Sequence, residues 1–592
     1  MNRRPTGCTP SLPAPAIGSA RLALFLAVLA ILPYTNAVTA GFTLDDQPQI
    51  RENAAVIGSV DLLKILSSPL FPGDLYRPLT MFTFAVNEKL TPGTPASFHA
   101  TNVALHALTT VLVFAVARQL FQTSIAGVAA ALFAVHPIHT EAVTSLVGRA
   151  EILAALFGLL SLLSAAGAMT ARRWVQRAVL QAVSLTAFSL ALLSKESALT
   201  VLPLIVLFRI TCRGEPWGHG LHHELRSLEW LPYTLCAGVF LWLRFYVVGA
   251  VTPPLPIKPL NNMLAFAAWD VRIPSAIAIL WDYFGLLNVP LVLAADYSYD
   301  QVPLVTSWRE PRLVAGVALI AAALVLMTPH RRAAVRFTAA FPFVTLALTA
   351  NVLFPIGTIK AERLLYFPSV GWLLLAAYGI DRMAAIPGRR RMVALALAFV
   401  IVAFAIRTWE RNWDWRDDLA LYRSLARAAP DSAKSRHDLG VVFEREDLHQ
   451  AAIAQFERAL AVYPYPESAF GVGLSYDKLG RIDDAVRWYK KTLAIAPDFH
   501  KAHTNLCSLL WSNKRFDEAI RACREGLRYA PTDGNVLKML GFSLIGAGAT
   551  NKGAEVLRRS LVVGGPDDEL LQYLAQLASA PSSAAADQNP PQ

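Results

Sequence analysis

The sequence predicts an all-α chain: a polytopic membrane helix bundle of about eleven spans, followed by an α-solenoid of two-helix repeats. Three observations lead there. Charge-free apolar runs crowd the first 410 of 592 residues. Charged residues are 16% of the chain and hydrophobic ones 54%, where a globular chain has a charged share near ~25%. Beyond residue 432 small residues recur at a spacing of about 34. This balance excludes a disordered chain, a coiled coil and an ordinary soluble enzyme.

Residues 1–20 read as a cytoplasmic segment, and 21–410 as the membrane domain. Leu22–Ala40 is the first charge-free run, with Arg3, Arg4 and Arg21 before it. Val38-Thr39-Ala40 also resembles a small-residue cleavage site, so the run reads as a span or as a signal peptide. Either way residue 41 emerges on the far side, into a first outer loop over 41–98. Runs such as Ala100–Ala117, Gln119–Thr140, Ile152–Ala171, Ala178–Ser194, Phe337–Ile359 and Met392–Ile406 follow. Arginines fall in every second loop: Arg118, Arg172/Arg173/Arg177, Arg209/Arg213, Arg331/Arg332/Arg336 and Arg389/Arg390/Arg391. Positive charge marks the cytoplasmic side of short loops. The net charge of +11 therefore belongs to membrane topology, and no nucleic-acid partner is expected. Met263–Leu293 carries Asp270, Arg272 and Asp282; it reads as an outer interfacial or re-entrant segment, with an extra span as the rival. The last run leaves outward near Arg407, and 411–432 reads as a linker. An integral membrane protein with its N-terminus cytoplasmic and its repeats periplasmic or lumenal is expected, a bacterial inner membrane being the anticipated setting.

Over 433–565, Gly440, Gly473, Cys507 and Gly541 recur, as do Ala452, Ala485 and Ala519, and Pro464, Pro497 and Pro531. The small residues let paired helices approach, and each proline ends the second helix. About four tetratricopeptide-like repeats are predicted, the fourth degraded because Gly553 and Gly565 replace Ala and Pro. Stacked repeats give a concave surface that suits an extended polypeptide. Cys507 and Cys523 face each other within one pair; packing as free thiols is favoured over a disulfide. Residues 566–592 read as a short helix and a disordered tail.

Ionisable residues mark function where a membrane makes them costly. Asp45-Asp46 directly follows the first run. Two carboxylates at a membrane rim suit general-base work, or metal binding by one of them. Arg77 lies in the outer loop. His99, Asn102 and His106 share one helical face, as a metal pair or as a polar interior stripe. His136, His139 and Glu141 sit at the next outer end, then Arg149 with Glu151, Lys195 with Glu196, and Glu362, Arg363 and Tyr366. Carboxylates beside Arg and Lys suit a phosphate leaving group and a hydroxyl nucleophile. No cofactor is assigned and no metal ligand set is named, although a divalent metal is compatible with the acidic pair.

The order Leu44-Asp45-Asp46, Tyr76-Arg77-Pro78-Leu79-Thr80, His99…Asn102…His106, His136-Pro-Ile-His-Thr-Glu141, Gly148-Arg149-Ala150-Glu151, Lys195-Glu196 and Ala361-Glu-Arg-Leu-Leu-Tyr366 resembles the TMTC family, transmembrane and tetratricopeptide-repeat containing protein O-mannosyltransferases. The resemblance spans roughly residues 20–565. It implies a GT-C glycosyltransferase fold, a polyprenyl-phosphate sugar donor and a Ser/Thr acceptor on an extracytoplasmic polypeptide held by the repeats. It also implies that the catalytic acids fall on Asp45 and Asp46. Arg149, Lys195 and Arg363 are the expected phosphate contacts, with Asp45 or Asp46 as base in an inverting transfer. Residues 255–310 match the family pattern poorly.

Two other classes compete. In one, the spans only anchor a repeat adaptor that scaffolds envelope proteins without catalysis. In the other, a transporter, paired broken helices near mid-membrane are needed; the polar groups here gather at the outer rim instead.

Overall fold

A computed structural model describes residues 17–58, 60–70, 75–213, 217–250, 258–299 and 301–579. Most of the N-terminal segment and the tail beyond 579 lie outside these residues. Among the described residues the elements are helices, and the chain divides into two units between Ala429 and Pro430.

In the first unit the apolar runs fold as helices that pack through small residues. Ala126, Ala129 and Ala130 of helix Thr123–Val135 are fully enclosed, which lets neighbouring helices close in. Gly371 faces the Phe341 side chain so closely that a Cβ would sit 2.5 Å from the Phe341 Cβ and 2.9 Å from its ring. Among the described residues five helices are long and apolar enough to cross a membrane: Pro95–Leu120, Leu146–Thr170, Trp174–Ser194, Leu231–Val248 and Arg390–Asp414. Two bent pairs raise this to seven, and Gly18–Tyr34, Pro311–Leu326 and Ala333–Leu346 are shorter apolar helices. Length and composition alone thus do not reach the eleven expected spans. The charge-free runs end in polar turns, as at Pro137, so several yield helices shorter than the run.

Trp269–Asn288, within the ambiguous outer segment, is one continuous helix packed beside Pro311–Leu326. Gly316 meets the Ile277 carbonyl there, where a Cβ would approach to 2.3 Å. In place of a linker, helix Arg390–Asp414 and helix Asp418–Ala428 carry the first unit on to Ala429. Trp415 between them is 2% exposed.

The second unit holds four helix pairs: Ala433–Arg445 with His449–Val462, Pro466–Lys478 with Ile482–Ile495, His500–Ser512 with Phe516–Tyr529, and Gly534–Gly546 with Thr550–Gly564. A closing helix runs Asp568–Ser579. The repeat pattern has a direct packing cause. A Cβ on Gly440 or Gly471 would lie within 2.7 Å of the Phe456 ring. Ala452, Ala485 and Ala519 are fully buried. The fourth pair is not loosened by its extra glycine: Gly553 replaces alanine because the Gly541 backbone oxygen lies 2.7 Å from where a Cβ would stand.

One expectation is corrected here. Cys507 and Cys523 are joined by a disulfide, with Cα atoms 5.3 Å apart. The two helices of the third pair approach closely enough to bring the sulfurs together, and the bridge packs under Val536 and Leu540.

Candidate active site

The acidic pair sits in a tight turn, Thr43–Asp46, whose two carboxylates have different fates. Asp46 is fully buried and accepts the backbone N–H of Thr43 at 2.8 Å and of Val147 at 3.3 Å. Burial pushes its carboxyl up to about 7, against the pull of those two N–H groups; Asp45 and Asp418 add to the rise. Asp45 is exposed. The residue before it, Leu44, has φ of 51°, a left-handed conformation that costs a non-glycine residue roughly 1–2 kcal/mol. The turn therefore spends Asp46 on its own structure and presents Asp45 outward. Val147 can reach Asp46 because the chain doubles back at Gly148, where a Cβ would fall 2.3 Å from the Ala142 carbonyl oxygen.

Several of the charged motifs meet one another in ion pairs. Arg77 grips Glu196 with two bonds, Nε to Oε2 at 3.0 Å and Nη2 to Oε1 at 2.7 Å. Lys195 pairs with Glu151. Arg363 pairs with Glu141 through its side chain and donates its backbone N–H to the same carboxylate at 2.8 Å. Exposure separates these groups. The side chains of Lys195 and Glu151 are 6% and 7% exposed, whereas Arg363 and Glu196 are 37% and 34% exposed. The Arg363 guanidinium feels Glu141, Asp45 and Glu151 together, and these acids hold its pKa above the ordinary arginine value despite burial. So Asp45, and Arg363 beyond its bond to Glu141, keep surface open to solvent at the rim.

Glu362 is buried. Its Oε1 accepts the Ala294 N–H at 2.5 Å and the Tyr297 hydroxyl at 2.8 Å, while its Oε2 has no hydrogen-bond partner. Burial, with Glu141 nearby, raises its carboxyl to about 7, against the pull of Arg411. Lys360 lies over the Tyr297 ring, 4.2 Å from its centroid, and burial lowers its pKa.

Several predicted site residues are structural. The expectation of a phosphate contact at Arg149 is corrected: the side chain is 0% exposed and donates to Asn102, Thr83, Asn87 and the Phe98 carbonyl at 2.7–3.2 Å. It has no face to offer. Lys195, enclosed against Glu151, is in the same position. His99 donates to the Gly41 carbonyl at 3.3 Å, which ties helix Pro95–Leu120 to the acidic turn. His106, His136 and His139 are buried, each donating to a backbone carbonyl: Ala134, Leu287 and Phe133. His106 also takes the Tyr366 hydroxyl at 2.8 Å. These rings are the polar interior stripe, with hydrogen bonds satisfied inside the fold. No group of three or more His, Cys, Asp or Glu poised for a metal occurs among the described residues.

Sequence reasoning missed Tyr297, Lys360 and Asp418. Lys360 stands immediately before the Ala361-Glu362-Arg363 motif, which was the available signal. It also missed an apolar cleft of about 280 Å³ among four helices, lined by Tyr283, Leu287, Leu319, Leu326, Phe343 and Trp372. The Tyr283 hydroxyl accepts the Ala361 N–H at 3.2 Å, so the wall of the cleft is bonded to the rim strand that carries Glu362 and Arg363. In the second unit, a polar cavity of about 300 Å³ is bordered by Asp477, Lys478, Asn505, Ser508 and Ser512.

The family described as dolichyl-phosphate-mannose-protein mannosyltransferase matches residues 78–222, and tetratricopeptide repeat families match 444–498 and 476–541. Protein O-mannosyl-transferase TMTC3 of Mus musculus is 28% identical over 547 residues, covering 84% of this chain and 59% of its own length. TMTC4 of Homo sapiens is 28% identical, covering 73% of this chain and 65% of its own. Tmtc1 of Drosophila melanogaster is 29% identical, covering 72% and 59%. The chain thus spans about 60% of the length of the curated relatives it matches. Residues 78–222 hold the Arg77–Glu196 partner Glu196, Arg149 and Lys195, while the acidic turn and Glu362 lie outside that match. The chain is a membrane-associated helical protein with tetratricopeptide repeats, and it resembles the TMTC protein O-mannosyl-transferases over most of its length.

Proposed function

We propose that this chain is a membrane protein O-glycosyltransferase that moves a mannosyl group from a polyprenyl-phosphate donor to a Ser or Thr hydroxyl of an extracytoplasmic polypeptide. The observation that carries the reading is the open surface that Asp45 and Arg363 keep at the rim, where Arg77 with Glu196 and Lys195 with Glu151 are locked to one another. The Asp45 carboxylate takes the proton of the acceptor hydroxyl as its oxygen attacks the anomeric carbon. The bond from that carbon to the phosphate oxygen breaks, and the electron pair leaves with the lipid phosphate. Attack opposite the leaving group inverts the configuration. Arg363 holds the departing phosphate; Arg77, with 13% of its side chain exposed and fixed by Glu196, stands as the second cation. Lys195 and Arg149 keep these groups in place.

The apolar cleft bonded to the rim through Tyr283 suits the polyprenyl chain, and an apolar lining with one polar mouth is what such a donor requires. The repeats hold the acceptor, consistent with the extended surfaces such arrays form. The arginine pattern supports a topology in which the acidic rim and the repeats face away from the cytoplasm.

Mass spectrometry of envelope proteins from cells with and without this chain tests the proposal. Hexose on Ser or Thr is expected only when the chain is present. An identical set of modified peptides in both samples rejects transfer.

A further inference from the structure

We infer that Asp418 is a positioning residue for the transfer, holding the backbone of the acidic turn so that Asp45 faces the acceptor. The inference rests on the base role proposed for Asp45. Its starting point is Leu44, a β-carbon-bearing residue in the left-handed region with φ of 51°. Such a conformation persists only where the surroundings over-determine it.

Three contacts do so, made mostly by the stretch that follows the Arg390–Asp414 helix, with Ala295 added in the third. The Leu44 N–H donates to Asp418 Oδ1 at 3.1 Å. The Gly41 N–H donates to the Arg416 carbonyl at 2.8 Å. The Leu44 side chain packs against Ala295, Trp415 and Leu421. On the other side of the turn, Asp46 binds the Thr43 and Val147 N–H groups. Asp45 lies between these two anchors and is tied only through its backbone, whose carbonyl accepts the Gln49 N–H at 3.1 Å. Removing either anchor frees the backbone that aims its carboxylate. Asp418 opens helix Asp418–Ala428, so the anchor is fixed by a helix end rather than by a loose loop.

Misplacement of a reacting group by about 1 Å can cost on the order of 100-fold in rate. For Asp418→Ala, kcat for sugar transfer is expected to fall by about 10-fold or more, with KM for the lipid donor unchanged. Asp418→Asn keeps a carbonyl oxygen for the Leu44 N–H and is expected to restore most of kcat. A wild-type kcat in Asp418→Ala, or equal losses in both variants, overturns the inference.

Amide hydrogen exchange on the full chain in detergent separates this from failure of the transferase reading, because it needs no activity. Exchange in the peptide covering Gly41–Ile50 should speed up by about 10-fold in Asp418→Ala and stay near wild type in Asp418→Asn, with the rest of the bundle unchanged. Unaltered exchange there, or acceleration throughout the bundle, contradicts a local positioning role. Full transfer by Asp45→Asn would remove the base while leaving the exchange result standing.

Discussion

Burial decides what each rim residue does. Asp45 and Asp46 are adjacent and chemically identical, and the sequence cannot rank them. The ranking comes from Val147, 101 residues away, whose N–H turns Asp46 inward. Arg363 keeps an open face because Glu141 takes one edge of its guanidinium. A planar fork grips phosphate in a way that an ammonium cannot. Arg363→Lys should therefore lower kcat/KM for the lipid donor by about 10-fold, and Arg363→Ala by more, measured in reconstituted membranes. Arg149 is different. Asn102, Thr83, Asn87 and Phe98 surround an enclosed cation, so Arg149→Ala strands four polar groups. It should destabilise the bundle by about 3–5 kcal/mol, read as a lower unfolding midpoint in detergent. Glu362 gives a pH signature. Its folded carboxyl, at about 7, keeps a proton that the unfolded chain loses near ~4.3. That contribution is full below about pH 4 and is lost as pH rises toward 7. The thermal midpoint should fall between about pH 4 and pH 7 from this group, and Glu362→Gln should flatten the fall.

At the level of elements, periodicity was the readable signal. Small residues and prolines at 34-residue intervals located the repeats, because Gly440, Ala452 and Pro464 each answer a local packing need. Charge-free runs located apolar helices for the same reason: burial in lipid or protein excludes charge. What stayed hidden depends on contacts between distant segments. The Cys507–Cys523 bridge requires an interhelical distance, and nothing in a spacing of 16 distinguishes a bond from a packed pair. Ser at both positions should lower the stability of the repeat unit by about 2–4 kcal/mol in denaturant titration, and non-reducing thiol labelling of the wild type should find neither sulfur. Residues 411–432 read as a linker, yet up to Ala429 they belong to the first unit. There Trp415 and Leu421 bury against Leu44 and Ala295.

For the whole molecule, the charged motifs that meet in ion pairs were legible as motifs along the sequence. Which of their residues remain open was not, because exposure depends on how the last span returns to the first loop. The bond from Leu44 to Asp418 joins positions 374 residues apart. The His99 and His106 pair shows the same limit: its spacing fits a metal pair, and the fold spends each ring on a backbone carbonyl. The account as a whole stands on Asp45 acting as the base at an open rim. Its most direct test is transfer by the purified chain in liposomes, from a polyprenyl-phosphate mannose to a Ser/Thr peptide, comparing wild type with Asp45→Asn. The account predicts that the wild type forms mannosyl peptide and that Asp45→Asn, folded to the same thermal midpoint, is slower by about 100-fold or more. Equal product from both proteins would contradict it.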